Sequence, residues 1–182
     1  MDISKICKNY IKIPSATNLN FSVLDFLCKK YLGDIHISTG MTSENEIDSI
    51  FEFIKKKKRL KNLVLYSCVS AYPADIKDVC LLDVKKLHDR YGKYIKAIGF
   101  SGHHRGLSID NTTIPLGATW IERHFTFDRT AKGTDHSASL ELDGLSMLRI
   151  RLDETILALN YKPKKILECE KFQRAYLKRV KK

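Results

Sequence analysis

No stretch of the 182 residues approaches the ~18 apolar residues that a helix needs to span a bilayer, so a transmembrane helix is excluded. The first dozen residues scatter charges among apolar side chains. They contain neither an apolar h-region nor a small-residue cleavage site, so export is not expected. The five cysteines (Cys7, Cys28, Cys68, Cys80 and Cys169) are odd in number and include no Cys-x-x-Cys pair. That excludes a zinc ribbon or a thioredoxin-type motif and points to reduced thiols in a cytoplasmic protein. No glycine-rich dinucleotide fingerprint follows the first β-rich run. No Ser-His-Asp arrangement is legible, and Cys68 has no evident activating partner. With 43% hydrophobic and 29% charged residues, the composition is that of one globular domain, which leaves out the collagenous, disordered and disulfide-scaffold classes.

Positive charge is abundant but uneven. The net charge is +11, and Lys162 to Lys182 holds nine Lys/Arg against two Glu, or +7 of that excess. Lys55 to Arg59 is a second basic run. No helix-turn-helix, zinc-finger or aromatic RNA-binding signature accompanies either, so no nucleic-acid partner is expected. The run Lys55–Arg59 closes a helix, where cations suit the dipole. The run Lys162–Lys182, with Phe172 and Tyr176 at i and i+4, reads as a basic C-terminal helix (161–182) docking by its apolar side on a domain spanning 1–160.

The chain alternates short β-rich runs with longer helical stretches. The runs are Tyr10–Ile13, Ile35–Ser38, Leu63–Cys68, Ile95–Phe100 and Thr119–Phe125, starting 25, 28, 32 and 24 residues apart. That is the spacing of parallel βα units. Helices are expected from Asn20 or Ser22 to Leu32, from Thr42 or Ser43 to Lys58, over Val79–Tyr91, weakly over Gly106–Leu116, over Asp143–Asn160, and over Ile166–Val180 after Pro163. Five such units fit either an open doubly wound sheet or part of a (β/α)8 barrel. The barrel is favoured because nearly every run ends in reactive polar groups, and barrels collect their working residues at the C-terminal ends of their strands.

Those residues suggest chemistry. His103 and His124 close neighbouring runs, and strands ~4.8 Å apart let two imidazoles share one divalent cation, with Asp135 or water as a third ligand. His104 and His136 are alternatives to either. Lys12, Ser15, Ser38 and Ser101 combine a cation with hydroxyls at one mouth, a set suited to phosphate or carboxylate. Asp135 lies in the loop Lys132–His136, where barrels carry specificity.

The strings Lys12–Ser15, Ile37–Met41, Cys68 through Tyr72-Pro73, Gly99–His103, Ile121–Thr126, Gly133–His136 and Ser139–Glu141 occur in the order and at the spacing of a known family. The chain resembles the bacterial sialic acid synthases. The resemblance implies a partial TIM (β/α)8-type barrel with five parallel strands, the family's strands four to eight, followed by C-terminal helices. It implies a C–C bond-forming transferase that condenses phosphoenolpyruvate with an N-acetylated hexose and uses Mn2+ or Mg2+. By that resemblance His103 and His124 hold the metal, and Lys12 joins them in catalysis. Ser15, Ser38 and Ser101 bind phosphoenolpyruvate, Tyr72 and Asp135 contact the sugar, and Ser70 is a further substrate-binding position. In the family reaction carbon 3 of phosphoenolpyruvate attacks the open-chain aldehyde, water adds to the oxocarbenium carbon, and phosphate leaves by C–O cleavage.

The chain departs from the family pattern. By the resemblance it is expected to begin at the family's fourth strand, without the first-strand glutamate and second-strand lysine, and to carry no antifreeze-like C-terminal domain. Thr17 stands where many members have a glutamate, Gly102 replaces an aspartate, and Ser70 replaces a frequent asparagine. Open barrel edges are therefore expected to pair with a second copy, as a homodimer, or with a separate N-terminal half-barrel chain. The alternative is an inactive remnant or a non-catalytic binding module.

Overall fold

The computed structural model describes residues 9–178. Five strands, β1 (Tyr10–Ile13), β2 (Asp34–Ser38), β3 (Leu63–Cys68), β4 (Ala97–Gly102) and β5 (Ala118–Arg123), form one parallel sheet in the order β1-β2-β3-β4-β5. The helices are α1 (Phe21–Lys30), α2 (Glu44–Lys56), α3 (Leu82–Tyr91), α4 (Leu142–Ala158) and α5 (Glu168–Leu177). Spatial order equal to chain order has no reversal point, which a doubly wound sheet requires. The sheet also curls. Lys12 on β1 reaches Glu122 on β5 at 2.6 Å, whereas a flat sheet would hold these strands ~19 Å apart at four spacings of ~4.8 Å. The architecture is a half-barrel with helices outside.

Alternation along the strands separates two interiors. Ile13, Ile35, Ile37, Leu63, Leu65, Ile98 and Phe100 pack outward against Leu24 and Leu27 of α1, Ile50 and Ile54 of α2, and Val84 and Leu87 of α3. Inside the curl, His36 stacks on Tyr10 with ring centres 4.4 Å apart and meets Trp120 edge-on at 4.7 Å. These rings plug the base of the half-barrel beneath the Lys12–Glu122 pair.

The helices start where their caps dictate. Asn20 accepts the Val23 amide at the head of α1. Ser43 and Glu46 form a capping box on α2, which buries Ile47, Ile50, Phe51 and Ile54 at i, i+3, i+4 and i+7. The basic run after it is structural: Lys57 pairs with Asp25, and Arg59 donates to the carbonyls of Tyr31 (2.6 Å) and Gly33 (2.8 Å).

Several expected boundaries shift. Strand β4 begins at Ala97, because the Ile95 amide completes the end of α3 on the Tyr91 carbonyl. Strand β5 ends at Arg123, because the His124 carbonyl turns to the Leu140 amide at 2.8 Å. Cys80, at φ 52°, delays α3 to Leu82. The weak helix expected over Gly106–Leu116 is a single 3-10 turn, Asp110–Thr113. The β-branched Thr112, Thr113 and Ile114 and then Pro115 stop it from growing. The last helix is not seated as expected: Phe172 and Tyr176 on α5 are 75% and 81% exposed. Its apolar side is too short a stripe to compete with the basic, solvated remainder, and Val180 of the expected span lies outside the described residues. On α4 only Leu148 is buried, while Leu145, Ile150, Ile156 and Leu157 face outward. No helix among the described residues is long and apolar enough to cross a membrane.

His36 gives the fold a pH dependence. It is fully buried, with Nδ1 2.9 Å from the Tyr66 hydroxyl, and burial pushes its imidazole down to about 4. The unfolded chain takes up a proton near pH ~6.5 and the folded chain only near 4, so stability falls as pH drops through that window. The contribution reaches about 3 kcal/mol at pH 4. In urea unfolding at pH 7, 5.5 and 4.5, His36→Phe should lose distinctly less stability on acidification than the parent. An equal slope would contradict this account.

Candidate active site

All nine candidate residues lie at the C-terminal ends of the strands or in the loops just beyond. Three strands set the floor. The register aligns Cys68, Ser101 and Glu122 across β3, β4 and β5, so alternation turns all three inward together. Lys12 joins that row from β1 because barrel strands tilt across the axis. The Glu122 carboxylate takes the Lys12 ammonium at 2.6 Å and the Ser101 hydroxyl at 2.6 Å through the same oxygen. Burial raises its pKa, but the bonds from Lys12 and Ser101 outweigh that and hold the carboxyl below its usual range.

A second group forms around Gly40. The Gly40 amide donates to Ser15 Oγ at 3.0 Å, and that hydroxyl lies 3.6 Å from Cys68 Sγ. A Cβ on Gly40 would come within 2.3 Å of Ser70 Oγ, 2.7 Å of Ser15 Oγ and 3.1 Å of Cys68 Sγ. Glycine is therefore what lets three hydroxyl and thiol groups converge there. At the end of β2, Ser38 Oγ is buried without a hydrogen-bond partner. Its backbone is fixed from below, since Asn18 Nδ2 donates to the Ser38 carbonyl at 2.9 Å.

Above lie the rings. The His103 and His124 ring centres are 5.0 Å apart, and Tyr72 is 4.3 Å from the first and 5.6 Å from the second. His103 Nδ1 donates to the Val69 carbonyl at 2.7 Å, which fixes that tautomer and leaves Nε2 free. His124 Nδ1 is 3.5 Å from Asp135 Oδ2. Two oriented imidazoles with a carboxylate behind one of them fit a divalent cation. Among the described residues no three His, Cys, Asp or Glu side chains are placed to hold a metal ion together, so a cation here would rest on the two imidazoles alone.

The structure also decides between alternatives. His104 and His136 do not face the site. His104 is buried on the opposite side of the sheet near Asp110, and His136 Nδ1 lies 2.7 Å from Thr126 Oγ1. The sequence reading of Cys68 as a thiol without an activating partner is corrected. Its Sγ is 3.9 Å from His103 Nδ1. Burial is the largest influence and disfavours the thiolate, but the contacts with His103, Ser15 and Ser101 together outweigh it and lower the thiol pKa. Glu122, which organises the floor, was not among the expected site residues. Its signal was present: it sits two residues before His124 and so on the same face of the strand.

The NeuB family profile matches residues 3–164. The chain is 36% identical over 163 residues to the human N-acetylneuraminate-9-phosphate synthase, covering 88% of this chain and 44% of that protein. It is 34% identical over 160 residues to the N,N'-diacetyllegionaminic acid synthase of Campylobacter jejuni, covering 87% and 47%. Among solved structures it is similar to the N-acetylneuraminic acid (sialic acid) synthetase of Leptospira borgpetersenii in complex with citrate. The TM-score there is 0.77 at 30% identity, over 92% of this chain and 57% of that one. The chain thus spans about half the length of the curated relatives it matches.

The floor makes a direct prediction. Lys12→Met leaves the Glu122 carboxylate half-buried beside Ser101 alone. Its pKa, now held below the usual carboxylate range, should rise, read by carbon-13 NMR titration of the carboxyl. Stability at pH 7 should fall by ~1–3 kcal/mol. A Glu122 titration unmoved by the substitution would show that the pair does not set the floor.

Proposed function

The chain belongs to the NeuB family, and from that premise we propose that it carries the mouth of a sialic-acid-type synthase condensing phosphoenolpyruvate with an N-acetylated hexose. The single observation behind this reading is the convergence of two oriented imidazoles, a tyrosine, a lysine–glutamate floor and several hydroxyls at one end of five parallel strands. In this reading the hydroxyls of Ser15, Ser38 and Ser70 receive the phosphate and carboxylate of phosphoenolpyruvate, with Ser15 Oγ held by the Gly40 amide and Ser38 Oγ free to donate. Lys12 and Ser101, held by Glu122, add positive charge and a hydroxyl beneath the reacting carbons. Tyr72 and Asp135 line the approach of the sugar. A divalent cation, Mn2+ or Mg2+, held by His103 and His124 would polarise the aldehyde oxygen of the open-chain acceptor.

The bond changes balance as follows. Carbon 3 of phosphoenolpyruvate forms a bond to the aldehyde carbon, water supplies the new oxygen at carbon 2, and inorganic phosphate departs with the original C–O oxygen. Lys12 and the serines hold the phosphate while that bond breaks. The work assigned to this chain's own residues is thus orientation and anion binding.

A whole synthase needs more of the barrel than this segment. In the five-stranded sheet β1 and β5 each pair on one side only. Exposed apolar side chains flank both edges, Val23 and Phe26 on α1 and Leu145 and Ile150 on α4. Three further βα units, on the same or a separate polypeptide, or a second copy of this chain, would cover them. A non-catalytic binding module is the second reading, favoured by those open edges.

Calorimetry tests the half-site directly. Phosphoenolpyruvate should bind this chain only in the presence of Mn2+, and the double variant His103→Ala, His124→Ala should lose that binding. A folded parent that binds no phosphoenolpyruvate with Mn2+ would overturn a preformed half-site and favour the non-catalytic reading.

A further inference from the structure

Behind the site, on the outer face of β5, lies a charged cluster with almost no access to solvent. The Arg123 side chain is 1% exposed and that of Asp110 is fully buried. Arg123 Nη1 donates to Asp110 Oδ2 at 2.7 Å and to the Gly106 carbonyl at 2.9 Å, and lies 3.2 Å from His104 Nε2. Its Nη2 donates to the carbonyls of His104 at 2.6 Å and Ala138 at 3.3 Å. One guanidinium therefore ties the loop after β4 to the loop after β5.

The residues it ties adjoin the proposed working groups. His104 follows His103, Arg123 precedes His124, and Ala138 ends the 3-10 turn that begins next to Asp135. The guanidinium's hydrogen bonds go to none of the three proposed groups; the link runs through the backbone. Stability does not explain the arrangement. A buried ion pair returns about what its desolvation costs, and an apolar pair of similar volume often does as well. His104 Nδ1, Asp110 Oδ1 and Arg123 Nε are moreover buried without a protein partner. What a planar fork with several fixed donors does supply is geometry: it sets directions and distances that a flexible ammonium would not.

We propose that the buried Asp110–Arg123 pair is a positioning device that holds His103, His124 and the Asp135 loop in their mutual geometry. Arg123 and Asp110 are positioning residues and touch no reactant. The proposal rests on the reading that the two histidines form the working site, and its test separates the two.

Three variants make the test: Arg123→Lys, which keeps the charge and loses the fork; Asp110→Asn; and the double change Asp110→Leu, Arg123→Met, which removes the buried charge. Folding is checked by near-ultraviolet circular dichroism and urea unfolding; the double variant should fold, with some loss of stability because the carbonyls of Gly106, His104 and Ala138 lose their donor. The first readout is the NMR contact between the His103 and His124 rings, which a purely structural role for the cluster would leave unmoved in a folded variant. The second is Mn2+ affinity by titration calorimetry. In all three variants the ring contact should weaken or vanish, with Mn2+ binding falling tenfold or more, the range that outer partners of ligands command. A folded variant that keeps both the ring contact and the affinity overturns the proposal. A parent that shows the ring contact but takes no Mn2+ overturns the metal reading, and the ring contact alone then decides the positioning role.

Discussion

The contact between Lys12 and Glu122 is the constraint on which the rest of the structure turns. It joins the first strand to the last across the inside of the curl, so it exists only if the sheet bends into a half-barrel. Either charge alone would be disfavoured there, since a partly buried ion gives up part of its hydration with no partner to offset the loss. Beneath it, Tyr10, His36 and Trp120 fill the space that narrows toward the base. Above it, the remaining inward positions of β3, β4 and β5 are left for chemistry. The base of the concavity is thus packed and its mouth is polar, the division expected where function sits at the C-terminal ends of barrel strands.

The two sides of the sheet bear that site differently. On the α1–α3 side, large aliphatic side chains interlock and the loops after β2 and β3 rest on a close-packed base. On the β5 side no α-helix intervenes between β4 and β5, and α4 and α5 leave much of their apolar surface outward. Support for the histidines on that side comes instead from polar fixtures: the Leu140 amide on the His124 carbonyl, the Val69 carbonyl on His103, and the buried guanidinium behind both loops. A site held by directional bonds keeps its geometry only while every partner is present, whereas a site held by packing relaxes gradually.

Much of this was legible in the chain. Strands β1 and β3 lie where alternation and turn residues put them, and β2, β4 and β5 differ by one or two residues. Polar residues just beyond each strand marked the candidate site, and all nine candidates lie at that end of the sheet. Illegible were the effects of partners remote in sequence. Cys68 looked inert because His103, 35 residues away, supplies its hydrogen bond. Glu122 was passed over because nothing local says that Lys12, 110 residues away, will meet it. His104 stood as an alternative to His103 on position alone; strand register turns one inward and the other toward Asp110.

What the sequence determined by itself was local: the period of each element, the caps at Asn20 and Ser43, the residues that end each strand, and the family to which those strings belong. The tertiary structure decided which of those residues act together. It chose barrel curl over a doubly wound sheet, Glu122 as the partner of Lys12 and Ser101, and His103 with His124 as the oriented pair. The physical reason is that element type follows from short-range periodicity and capping. The encounter of side chains far apart in the chain depends on strand order, tilt and register, which only the assembled sheet possesses.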